Sequence, residues 1–98
     1  MEREQGNNDH VVFVGEKPFM NYVTGVIMQF TTQNADEVVI KARGKFISRA
    51  VDIAEVSSKR FLDETVEVTK IEIGSEEFKN KDNKDVRVSF IEITLKKK

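Results

Sequence analysis

The chain has no cysteine and no tryptophan, and only one proline, one histidine and one tyrosine. Without cysteine there is no disulfide framework, no thiolate nucleophile and no cysteine-based zinc site. This composition fits a reducing compartment, so a cytoplasmic location is expected. His10 is the only imidazole, and the acids are scattered with no paired-carboxylate or metal-ligand spacing. The expectation is a protein that is not an enzyme and holds no cofactor or metal, with His10 at the surface or a strand edge. No apolar run approaches the roughly 20 residues that span a bilayer, so no membrane partner is expected. Residues 1–9 are polar and lack the apolar segment of a signal peptide. They are expected to form a flexible tail ahead of a single domain over residues 10–98.

What the chain does have is charge. Of its 98 residues 34% are charged and 39% hydrophobic, so one domain with a lean core and a densely charged surface is expected, with little room for a deep active site. The formal net charge is only −1. A nucleic-acid partner therefore requires positive charge segregated onto one face. One stretch does segregate it: Lys41, Arg43, Lys45 and Arg49 follow one another with no acid between them.

In chain order, Val11 to Val14 is a run of β-formers closed by Gly15 and reads as a buried strand. Pro18 suits the first turn of a helix, predicted to run to about Gln33 with an apolar stripe of Phe19, Val23, Val26, Ile27 and Phe30. Gly25 inside that helix points to a close crossing with a neighbouring element. A second strand covers Asp36 to Ala42. A second helix starts near Lys45 or Phe46, with Ile47, Ala50, Val51, Ala54, Ser58, Phe61 and Leu62 on its apolar face. Phe61 and Leu62 are not both expected to be buried. From Thr65 the period becomes two. The phase slips at Thr69-Lys70, as at a β-bulge, and Asn80-Lys81-Asp82-Asn83 has the composition of a turn. Two long strands therefore form a hairpin. Ile71, Ile73, Ile91 and Ile93 are expected to pack on the core, and Glu77 to Val88 to project as an arm. The order β-α-β-α-β-β predicts an α+β fold, a two-layer sandwich in which a four-stranded mixed sheet carries both helices on one face.

The Lys41/Arg43/Gly44/Lys45 turn is the leading candidate site. A glycine lets the backbone come close, and a helix N-terminus offers free N–H groups to a phosphate. The spacing is neither a Walker loop nor a dinucleotide fingerprint. An ordinary solvated turn is the alternative reading. The Gly15–Pro18 turn also joins a strand to a helix, and in a βαβ unit both turns lie at one end of the sheet. Lys17 is thus expected to converge with Lys41, Arg43 and Lys45, with Glu16 weakening the patch; Gly44 and Arg49 are counted with them as nucleic-acid-binding residues. On the hairpin, Lys81, Lys84 and Arg87 either reach along a groove or, interleaved with acids, form a solubilising tip.

The segments from Gly15 to Val23 and from Val39 to Asp52, with Arg60-Phe61-Leu62 and the closing Val88 to Ile93 run, resemble the Alba family, small archaeal chromatin proteins that bind DNA and RNA. The resemblance covers about residues 10 to 97. It implies a homodimer that contacts double-stranded DNA or RNA, is associated with the chromosome and shows little sequence preference. It further implies that Lys17, Lys41, Arg43 and Lys45 contact the phosphate backbone, that Arg87 reaches the minor groove, and that Phe61 makes contacts between neighbouring dimers on DNA. Glu16 stands where many members have a second lysine, and the net charge is slightly acidic where members are typically basic. Both departures lead to an expectation of weaker binding. An RNA-binding protein or RNA chaperone, and a protein-interaction module with an incidental basic patch, are the alternatives. With one tyrosine and no tryptophan, base stacking is expected to be minor.

Overall fold

The computed structural model describes residues 10–98. The expected tail over residues 1–9 lies outside them. Strand β1 is Val11–Phe13, helix α1 Phe19–Thr31, β2 Glu37–Arg43 and helix α2 Ile47–Glu55, followed by β3 Val66–Lys79 and β4 Asp85–Lys97. The sheet order is β1-β2-β4-β3. β1 runs parallel to β2, and the other neighbours are antiparallel. The sheet is mixed, as expected, because the two βα units precede a hairpin.

Alternation builds the core. Val38, Ile40 and Ala42 on β2, and Ile91, Ile93 and Leu95 on β4, are buried under the helices. Val23, Val26 and Phe30 face them from α1, and Ala50, Ile53 and Ala54 from α2. The helical end of α1 is set by Asn34, at φ 55°, and by the Ala35 N–H donating back to the Gln29 carbonyl at 2.9 Å. α2 is preceded by a 3-10 turn, Gly44–Phe46, and continues as a π-helical turn, Val56–Phe61.

Four expectations need correction. Phe13 is not buried: it is 66% exposed, because β1 is an edge strand and Phe13 points away from the helices. Val51 is exposed and Ile53 is fully buried, so the buried stripe of α2 is rotated from the predicted one. Of Phe61 and Leu62 only Leu62 is buried and Phe61 is exposed, so, as expected, not both join the core. Gly25 meets no crossing element: a Cβ there would have nothing within 4 Å. Ile71 and Ile73 are 59% and 79% exposed. They pair with Ile93 and Ile91 and so share the helix-side face, but β3 is the outer strand and the helices of this chain do not cover it. The bulge falls as predicted, between Val68 and Lys70.

Candidate nucleic-acid interface

The first turn is built on Tyr22, a buried residue of α1. Its hydroxyl accepts the Gly15 N–H at 2.9 Å and the Lys17 N–H at 3.1 Å. Arg49, from α2, completes the clamp. Its Nη1 donates to the carbonyls of Gly15 and Lys17, both at 2.6 Å, and its guanidinium lies 5.7 Å from the Tyr22 ring centroid. Two side chains from different helices thus bind four backbone groups of one turn and hold Lys17 at its exposed end. Arg49 shapes this surface from beneath instead of standing on it.

The second turn depends on Gly44. Its φ is +55°, a left-handed conformation that side chains with a Cβ disfavour. Val88, at the root of the arm, lies 3.8 Å from where that Cβ would be. The arm therefore begins beside the basic turn. Lys45 reaches Glu16 of the first turn at 3.8 Å, and Arg43 reaches Glu76 of the arm at 2.9 Å. Turn, turn and arm root form one continuous surface. Lys41 lies on the open face of the sheet, 3.6 Å from Glu92 and 5.8 Å from the Phe13 ring centroid.

Lys17, Lys41, Arg43 and Lys45 are therefore gathered with Glu16, Glu76 and Glu92, a small surplus of cations, with Arg49 beneath them. The pairs Arg43–Glu76 and Lys45–Glu16 have side chains at least half exposed. Such pairs contribute little, about 0–1 kcal/mol, and yield readily to a competing phosphate. Lys81 and Lys84 are not part of this cluster. They lie at the hairpin tip, where the Asn80 side chain accepts the N–H groups of Asp82 and Lys84 at 2.9 and 3.0 Å. Asn83, five residues from Val88, is about 17 Å farther along the arm at ~3.3 Å per residue. Arg87, between root and tip, pairs with Glu77 at 3.2 Å.

The profile of the Alba family matches residues 10–75. The chain belongs to the Alba family. Two relatives are DNA/RNA-binding proteins Alba. That of Methanococcus maripaludis is 51% identical over 87 residues, covering 89% of this chain and 97% of the relative. That of Methanocella arvoryzae is 52% identical over 89 residues, covering 91% of each. Among solved structures, Alba from Thermoplasma volcanium superposes with a TM-score of 0.79 at 43% identity, covering 88% of this chain and 98% of that one. ALBA1 from Trypanosoma brucei shares the fold, with a TM-score of 0.68 at 24% identity, covering 90% of this chain and 68% of that one. No helix among the described residues is long and apolar enough to cross a membrane.

Sequence reasoning missed two features of this candidate site. The Tyr22–Arg49 clamp joins residues 27 positions apart and has no local signature. The pairing of the hairpin acids with particular cations, Glu76 with Arg43, Glu77 with Arg87 and Glu92 with Lys41, is set by strand register and not by local sequence.

Proposed function

We propose that this protein is a sequence-tolerant nucleic-acid-binding protein that grips the phosphate backbone as a homodimer, in association with the chromosome. The observation that carries this reading is the joining of the two strand-to-helix turns and the arm root into one surface with a cationic surplus. Phosphate contacts orient a duplex without reading its sequence, and this surface presents charge rather than a shaped set of base-reading groups. The names of the two relatives, DNA/RNA-binding protein Alba, support a nucleic acid as the ligand.

In the proposed mechanism Lys17, Lys41, Arg43 and Lys45 take phosphates, exchanging their carboxylate partners for them. The backbone near Gly44 comes close to the strand. Arg49 contributes by fixing the Lys17 turn. The arms carry Lys81, Lys84 and Arg87 along the groove. The homodimer reading is supported by Val51, Ile71 and Ile73, exposed apolar residues that a second copy would cover. Phe61, also exposed, is proposed for contacts between dimers.

The test is Arg43→Glu with Lys45→Glu, read by anisotropy of a labelled duplex. Binding is expected to collapse, and any that remains should show a salt slope shallower by about 3.6, four lost contacts per dimer at about 0.9 each. Unchanged affinity would overturn the reading and favour a protein-interaction module.

A further inference from the structure

The open face of the sheet carries a groove whose aromatic walls the phosphate contacts leave unused, although its rim shares Lys41 and Arg43 with the proposed phosphate-binding surface. It has a volume of about 480 Å³ and is walled by Phe13, Phe46 and Phe90, with Lys41 and Arg43 on its rim beside Glu76 and Glu92. This volume falls within the roughly 300–1,000 Å³ of small-ligand sites. Phe13 is 66% exposed even with the Lys41 ammonium 5.8 Å from its ring centroid. Register explains the arrangement. Phe13, Lys41 and Glu92 form one row across three strands, and Arg43, Phe90 and Gly74 the next. Phe90 lies flat over Gly74: a Cβ on Gly74 would come within 2.6 Å of the ring, so the glycine is what lets this aromatic settle into the sheet. Both carboxylates in the groove are already engaged, Glu92 by Lys41 and Glu76 by Arg43.

We infer that this groove is a subsite for an unpaired nucleobase, which stacks on Phe13 while Lys41 and Arg43 take the flanking phosphates. The chemistry selects this occupant. An exposed aromatic face between cations, continuous with a phosphate-binding surface, suits a single strand, whose bases are free to stack. A duplex keeps its base faces covered by neighbouring pairs and has none to offer. Phe13 lies on an edge strand, so a base can approach from the side. Ile71 and Ile73, the residues proposed for the dimer contact, face the opposite side of the sheet, so the groove stays open in a dimer. The inference rests on the nucleic-acid reading above and extends it from duplexes to single strands.

The experiment compares the full-length protein with Phe13→Ala and Phe13→Leu on four labelled probes at one salt concentration: a thymidine twelve-mer, a uridine twelve-mer, an abasic deoxyribose-phosphate twelve-mer and a duplex. Wild type is expected to bind the base-bearing strands more tightly than the abasic one. Phe13→Ala should weaken a base-bearing strand roughly 5- to 150-fold, the range that removal of stacking aromatics produces, while abasic and duplex binding stay unchanged. The larger loss of the two homopolymers identifies the preferred sugar. Phe13→Leu keeps an apolar side chain but no ring, so a matching loss assigns the effect to stacking rather than to folding. Wild-type levels of homopolymer binding by both variants, or equal wild-type affinity for abasic and base-bearing strands, would overturn the subsite while duplex binding left the backbone-gripping reading standing. Failure of wild type to bind any probe would overturn both.

Discussion

The body and the hairpin arm use apolar residues in opposite ways. In the body, Ile40, Ile53 and Leu95 are fully buried among neighbours from both helices and the sheet. On β3, which leads from the outer edge of the sheet into the arm, Ile73 is 79% exposed and Phe78 47%, and of its fourteen residues only Val66 is buried. The body's apolar side chains are covered within one chain. Those of the arm and the outer strand have alternation without a cover within this chain, the pattern expected of a partner surface.

The sharpest way to break this comparison is to truncate one isoleucine in each region. Ile53→Ala should cost about 2–5 kcal/mol in urea denaturation, the usual range for a large-to-small change in a packed core. Ile73→Ala should change monomer stability by no more than about 0.5 kcal/mol, whereas Ile73→Glu should shift sedimentation equilibrium from dimer to monomer. A dimer that survives Ile73→Glu would mean that the exposed strand face serves some other contact.

A smaller effect is expected within the body. Tyr22→Phe removes the acceptor for two backbone N–H groups of the Lys17 turn and should cost about 1–2 kcal/mol, with weaker duplex binding because Lys17 is less well held. Unchanged stability and binding would show that Arg49 holds the turn alone.

Gly25→Ala should stabilise the protein by roughly 0.5–1 kcal/mol in thermal melts, because the site is helical and a Cβ there has open space. Destabilisation would mean that the position packs against a partner.

Smallest of all, Glu16→Lys should raise duplex affinity by removing the carboxylate that Lys45 faces, with no change in stability beyond about 0.5 kcal/mol. Unaltered affinity at fixed salt would show that Glu16 does not weaken the patch.

How much of this was legible in the sequence depends on the kind of information each feature needs. Element order, the bulge at Thr69-Lys70 and the hairpin turn follow from local period and turn chemistry, and all three appear in the structure. The basic turn at Gly44 was visible as a run of one sign around a glycine. Phe13 was misread because a four-residue apolar run carries no alternation to say which residue faces out. Ile71 and Ile73 were misread for another reason. Alternation assigned them to the helix-side face, but whether a helix reaches the outer strand is a tertiary fact. The buried stripe of α2 was displaced because the helix has two apolar rows, and only packing decides that Ile53 goes inward and Val51 outward. The groove between Phe13 and Phe90 depended on cross-strand register and was not legible at all.

The most direct test of the central claim is an anisotropy titration of one duplex DNA, and a duplex RNA of matched sequence, with the wild-type protein at three salt concentrations. Backbone gripping predicts binding to a duplex with log Kobs falling linearly and steeply against log salt, and little change when the sequence is scrambled. A flat salt dependence, or affinity that disappears on scrambling, would contradict it.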